Sequence, residues 1–359
     1  LQRLDACRQL ANDSGAHAID RQFHFQRVYV HCLRGELGEA DAQLQQIAAT
    51  LGQLGQIDVA QFHFLAGWRA ALAGRHAEAV QLLGHAVAIT RSRRFLFLEC
   101  CCRGLLGELL ASAGDLVQAE SHTASALALA RRMGSVTAEV ACGFQHAAVA
   151  AMAADLDDHT PAGPLGAPQA ATLAATLPAR LAQALAFARQ HGHWAWGGLY
   201  PPTLARLCAR AIALDILPDV ARGLVRRRQL PVPVSARALP GWPWPLQLRC
   251  LGGLVLLRDG QPLVFDGKAQ RRPLELLHAL LAQGGQNVPT STLTDQLWPG
   301  AEGDAAQRAL ITTLQRLREL LGQRSALLHG GGRLSLNPAQ VAVDLWAFDA
   351  ALDAGQPEA

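Results

Sequence analysis

Three short segments of this chain repeat one another at a spacing that a single globular core would not impose. LRGELGEADAQL (33–44), LAGRHAEAVQLL (72–83) and LASAGDLVQAESHT (110–123) each carry a glycine followed five residues later by alanine. Gly35, Gly74 and Gly114 are 39 and 40 residues apart, within a stretch, 1–230, that is rich in Ala and Leu and poor in strand-forming runs. A period near forty in such a stretch specifies stacked helix–turn–helix units, because one unit cannot bury its apolar face alone. The small residues let the two helices of a unit approach closely, and the glycine serves the turn between them. A fourth unit is expected to begin near Ala153. Its turn is stretched over 155–178, where Pro161, Pro164, Pro168 and Pro178 stand among Ala, Gly and Thr, so this segment reads as a loop insertion. Helix is expected again over Ala179–Gln190 and Pro202–Leu214, and Arg226-Arg227-Arg228 reads as a solvated helix end.

The character of the sequence changes at 231–245 (PVPVSARALPGWPWP), whose prolines favour extended backbone and a semi-rigid linker, and the domain boundary is placed there. Beyond it, Leu246–Leu257 and Pro262–Phe265 read as short strands around an Asp259-Gly260 turn. Helices are expected over Pro273–Ala282, over Thr290–Leu297, and from an Asp304 cap to a stop at Gly322. A hairpin follows, with strands Ala326–His329 and Arg333–Leu336 and a turn at Gly330–Gly332. In the long helix Leu310, Leu314, Leu317 and Leu321 form a continuous seam, with Arg308, Thr312, Gln315 and Glu319 opposite it and Arg316 beside them. A strand group, three helices and a two-stranded wing is the layout of a winged helix.

Four consecutive segments carry a more specific likeness: LGGLVLLRDGQPL, LTDQLWPGAEGDAAQRAL, TTLQRLRELLG and GGRLSLNPAQVAVDLWAF. Together they cover 246–350 and resemble the signature blocks of the OmpR/PhoB-type winged helix in the form found in SARP-like bacterial transcriptional activators. They are most like the MalT-like large regulators, in which an ATPase module precedes helical repeats and a C-terminal winged helix. LARLCARAIALDILPDVARGLVRRRQL (204–230) resembles the closing block of the repeats in those regulators. The period exceeds the 34 residues of a standard tetratricopeptide unit, so the repeats resemble longer, TPR-like ones. The fold class implied is mainly α: a TPR-like α-solenoid, then a small α+β winged-helix domain with N-terminal antiparallel strands and a C-terminal β-hairpin wing. The function implied is a DNA-binding transcriptional regulator, an activator, reading promoter DNA with the 304–321 helix and the 326–336 wing.

Arg316-Leu317-Arg318 matches the R-L-R signature of the family's recognition helix, and the resemblance places Gln315 against bases. It makes Arg308, Thr313, Arg316 and Arg318 contacts to phosphate or to mixed groups, with Thr312 on the same face. Chemically, Gln suits adenine and Arg suits guanine in the major groove, whereas marginal arginines hold phosphates and fix register. For Arg318 a structural salt bridge beside the seam weighs equally. Many relatives have Gly-Tyr in the wing where this chain has Gly332-Arg333, which leaves Arg333 as a minor-groove or phosphate contact.

Charge argues for restraint. From Gly241 onward there are ten Lys+Arg and eleven Asp+Glu, a balance of about −1, so one copy should bind DNA weakly and several copies together usefully. The competing reading is an interaction scaffold, in which the repeats bind protein or self-associate and the winged helix has become a protein-binding module. On the first reading the partners are double-stranded DNA, a protein or second copy at the repeats, and RNA polymerase as a candidate. No enzyme, cofactor or metal is expected. Gly267-Lys268 lacks the rest of a P-loop, and no helix follows Gly330–Gly332 as a dinucleotide fingerprint requires. His17, His24 and His31 recur every seven residues without acidic company, and His191–Trp196 (HGHWAW) reads as packing and a turn. Eight cysteines without C-x-x-C spacing, no leader-like segment and no apolar run of membrane-spanning length give a cytoplasmic expectation. The chain opens on Leu1 inside a helical pattern and has only a short tail, 351–359, after the winged helix, so it reads as a fragment of a longer protein.

Overall fold

The computed structural model describes residues 2–14, 20–159, 167–192, 200–236, 239, 241–265 and 271–353. His17, His193–Trp196, Gly267-Lys268, residues 160–166 of the expected insertion and the end of the tail lie outside these described residues. Internal contacts divide the chain into two units, Leu1–Leu230 and Pro231–Ala359.

The first unit is helical throughout its described length. After α1 (Gln2–Asp13), α2 (Asp20–Arg34) pairs with α3 (Leu37–Ala48), α4 (Gln56–Leu72) with α5 (His76–Arg93), and α6 (Leu96–Ser112) with α7 (Leu116–Met133). Each pair turns through a left-handed glycine: Gly35 at φ 72°, Gly74 at 74° and Gly114 at 89°. In each turn the next amide donates back to a carbonyl five residues earlier. Glu36 N–H reaches His31 at 2.9 Å, Arg75 N–H reaches Ala70 at 2.9 Å, and Asp115 N–H reaches Leu110 at 3.0 Å. This closes the carbonyls that a helix end leaves open, in a conformation glycine adopts without strain. The alanines five residues on, Ala40, Ala79 and Ala119, are fully buried where the helices of a pair cross. At one crossing even alanine is excluded: a Cβ on Gly107 would lie 2.6 Å from Thr123 Cγ2 and 2.9 Å from the Ala119 carbonyl. Between pairs the period recurs at a second turn, left-handed at Arg94 (φ 57°) and, forty residues later, at Gly134 (φ 63°).

The segment 155–178 departs from the expected loop insertion. α8 (Val136–His159) runs into it, α9 (Ala167–Ala175) lies within it, and α10 (Leu177–His191) starts before it ends; α9 and α10 both pack on α8. The prolines explain the difference. Pro168 and Pro178 are each the second residue of a helix, where the missing N–H has no partner to lose. α11 (Pro201–Ala213) and α12 (Pro218–Arg228) complete the unit, and Arg226-Arg227-Arg228 forms the last turn of α12, beside its C-terminal carbonyls.

Polar groups tie the helices across this core. Arg180 holds Glu120 through two bonds of 2.8 and 2.9 Å, and His146 Nε2 meets the same carboxylate at 3.0 Å, joining α7, α8 and α10. Burial would raise the Glu120 pKa, but the bonds from His146 and Arg180 prevail and hold it at about 2. Glu108 on α6 is the opposite case. Burial pushes its carboxyl up to about 7 against a hydrogen bond from Thr203 and the charge of Arg206, and its Oε2 has no hydrogen-bond partner among the described residues.

The second unit builds two small sheets around three helices. β1 (Leu246–Arg249) pairs antiparallel with β2 (Val255–Arg258), which turns at Asp259-Gly260 into β3 (Gln261–Pro262). On its other edge β1 pairs parallel with β7 (Val341–Val343), giving the order β3-β2-β1-β7. The second sheet is β4-β6-β5: β4 (Val288–Pro289) beside β6 (Arg333–Leu336), and β6 hairpinned to β5 (Leu327–Gly330). Gly331 and Gly332, at φ 58° and 71°, make the two-residue turn that matches strand twist. Between the sheets come α13 (Arg271–Ala282), α14 (Thr290–Leu297) and α15 (Gly303–Leu321), with α16 (Asp344–Asp353) after β7. The core gathers the apolar faces of α13 and α15 with Leu246, Leu248, Leu334, Leu336 and Val343. Asp344 fastens the start of α16 by accepting from the N–H groups of Cys250, Leu251 and Leu345 at 2.9, 3.1 and 2.9 Å. In the stretch read as a linker, Ala236, Trp242 and Trp244 are buried.

Candidate nucleic-acid interface

The geometry of α15 follows from its seam. Leu310, Leu314, Leu317 and Leu321 are all buried, and Gly322 closes the helix at φ 66°. The helix starts two residues earlier than the Asp304 cap implies, with Glu302 at the cap position and Asp304 in the first turn, where a carboxylate complements the helix dipole. Opposite the seam, Arg308, Thr312, Gln315 and Arg316 are exposed. The guanidinium groups of Arg308 and Arg316 have no ion-pair or hydrogen-bond partner among the described residues. Gln315 Nε2 donates to Glu319 at 3.3 Å, a long contact that leaves its carboxamide oxygen unengaged, and the Thr312 hydroxyl donates to the Arg308 carbonyl at 3.0 Å.

Two of the expected contact residues occupy other places. Thr313 is buried on the seam side, and its hydroxyl is bonded to the Ala309 carbonyl at 2.7 Å, so it does not belong to the exposed face. Three residues after Leu310 and four before Leu317, it shares their spacing. Arg318 is half-buried and donates to the Leu327 carbonyl at 3.2 Å, tying α15 to the first strand of the wing. Arg333 is exposed at the wing turn, with one guanidinium nitrogen donating to the Asn287 carbonyl at 2.7 Å.

Two residues of this surface were not singled out by the sequence. Arg258, at the end of β2, donates to the Leu321 carbonyl at 3.1 Å and to the Leu320 carbonyl at 2.8 Å. Its charge thus sits on the carbonyl end of α15, where a cation is favoured. Only long-range folding brings it there, although its place beside the Asp259-Gly260 turn was legible. The other is Ile311, 52 % exposed among the polar residues of the outer face. Its position outside the seam was readable from helical spacing.

The first unit offers a second candidate surface. α2, α4 and α6 line a groove of about 580 Å³ with Tyr29, Gln26, Gln61, Phe64, Phe97 and Cys101 among its walls and no charged side chain in its lining. Of the seven-residue histidines, His24 Nδ1 lies 2.9 Å from Gln43 Oε1 and His31 Nδ1 2.8 Å from Glu36 Oε2, so both serve as ties around α2 and α3. Among the described residues no group of three or more His, Cys, Asp or Glu is placed to hold a metal ion. Nor is any described helix long and apolar enough to cross a membrane.

No protein-family profile matches the chain, and no curated protein matches it in sequence. Among solved structures, the apo form of the quorum sensor NprR from B. thuringiensis is similar over 89 % of this chain and 88 % of that one. The identity is 11 % and the TM-score 0.35, a likeness too slight to carry an argument about function.

Proposed function

We propose that the chain is a DNA-binding transcriptional regulator in which α15 enters the major groove and the β5–β6 wing lies against the backbone. The observation that carries this reading is the pair Arg308 and Arg316, whose exposed guanidinium groups have no partner among the described residues. An amphipathic helix anchored by its leucine seam presents them outward, and arginine suits both base-edge and phosphate contacts. Arg308, Gln315 and Arg316 are the principal contacts, with Thr312 on the same face and Arg333 against phosphate. Thr313 drops out, and Arg318 acts by holding the wing to the helix. The resemblance to SARP-like activators and MalT-like regulators supports a promoter as the target, repeats that relay a signal or drive assembly, and an upstream ATPase module.

The test is a fluorescence-anisotropy titration of the full chain against a pool of duplex DNA at several salt concentrations. With three to six phosphates contacted, log affinity falls against log salt with a slope of roughly −3 to −5. Arg308→Ala and Arg316→Ala each weaken binding and flatten that slope. Binding indifferent to both arginines, or none at low salt, removes this reading. It would leave the scaffold reading, for which the uncharged groove along α2, α4 and α6 is the specific observation.

A further inference from the structure

Single exposed aliphatic residues are common on protein surfaces. Ile311 differs in its setting. It stands one turn after Arg308 and one turn before Gln315, 52 % exposed, on a face whose other members are Arg, Thr, Gln and Glu. Helix propensity does not account for it, since isoleucine is only a middling helix former, and this one stands outside the buried seam, about 90° round the helix from it. Thr312 beside it has already spent its hydroxyl hydrogen on the Arg308 carbonyl at 3.0 Å, so it offers outward a methyl group and an acceptor, not a donor. Ile311 and Thr312 thus form a small apolar step between two arginines whose guanidinium groups have no partner among the described residues.

In the major groove the base edges are mostly donors and acceptors, and the one methyl group among the four bases is at C5 of thymine. We infer that Ile311 reads a thymine methyl, so that the duplex this chain selects carries thymine under the middle of α15. The inference rests on the DNA-binding reading above and adds the base that the helix selects. Arg308 and Arg316 supply attraction and register, and Ile311 supplies discrimination at one base pair.

Replacing thymine by deoxyuridine removes that methyl and nothing else. A duplex would first be selected by the full chain from a randomised library, then rebuilt with each thymine in turn changed to deoxyuridine. Burial of one methyl corresponds to about a fourfold change in affinity. At one thymine the unaltered chain should lose about fourfold, while Ile311→Ala should bind the thymine and uracil duplexes equally and Ile311→Val should keep part of the difference. Thermal unfolding of both variants should match the parent, because the side chain lies outside the core. If no thymine shows the loss, if Ile311→Ala still discriminates, or if the selected duplexes lack thymine, the inference fails while DNA binding stands. If no duplex binds at low salt, the inference and the reading beneath it both fail.

Discussion

Glu108 makes the stability of the first unit depend on pH in a definite direction. Its carboxyl is pushed up to about 7 by burial, against Thr203 and Arg206, so the folded chain holds that proton more tightly than the unfolded chain does. The stabilising contribution is therefore complete below about pH 4.5 and is lost as pH rises through 7, on the order of 3 kcal/mol in all. Glu108→Gln keeps the shape without the charge and should be the more stable protein at pH 8. Denaturant unfolding of both proteins at pH 5 and pH 8 checks this, since the difference between them cancels the histidines that titrate in the same window. Equal pH dependence in both would remove Glu108 from the account. Arg318 is the second case at this scale. Because its guanidinium holds the Leu327 carbonyl, Arg318→Ala should lower the unfolding temperature of the second unit and leave the salt slope of DNA binding unchanged. A flatter slope with unaltered stability would return it to the phosphate contacts. How far such residues were legible varied. The leucine seam followed from helical periodicity alone, and the same arithmetic places Thr313 beside Leu310 and Leu317; only the likeness to a family had put it outward. The partners of Arg318, Arg333 and Arg258 lie in other elements, on β5, just before β4 and at the end of α15, and no local pattern announces them.

At the level of helices and strands, the forty-residue period acts through close approach. Gly107→Ala improves intrinsic helix propensity by about 1 kcal/mol, yet its Cβ would lie 2.6 Å from Thr123 and 2.9 Å from the Ala119 carbonyl. Overpacking should win, with a net loss of about 1–2 kcal/mol measured by urea unfolding. Arg94→Gly should have the opposite sign, a gain of about 1 kcal/mol, because it relieves a left-handed arginine that the next unit replaces with Gly134. No gain would mean that the arginine side chain stabilises its turn by as much as the backbone loses. The repeat was readable because its turns need glycine and its crossings need alanine. Within 155–178 the described residues 167–178 hold helix starts at Pro168 and Pro178, because proline signals a loop and a helix start alike. β7 escaped the reading altogether: it is three residues long and pairs with β1 across more than ninety residues of chain.

For the whole molecule the governing quantity is charge. Ten basic and eleven acidic residues from Gly241 onward leave the second unit near neutral, so a few phosphate contacts are not reinforced by a wider basic field, and one copy on one site should dissociate readily. A duplex with two selected sites a whole number of helical turns apart should then bind with a steeper, tighter isotherm than a duplex with one. Sedimentation and anisotropy together would show whether the gain comes from paired chains, and equal affinity per site would remove assembly from the scheme. Within the second unit, one junction sets the manner of any such encounter. Arg258 grips the last carbonyls of α15 from one sheet while Arg318 reaches a carbonyl of the other. On the DNA-binding proposal the helix would therefore meet a duplex already oriented, as a stiff probe whose ordering entropy was spent during folding. Discrimination between sequences should consequently appear in how long each complex lasts, with association rates much the same for right and wrong duplexes.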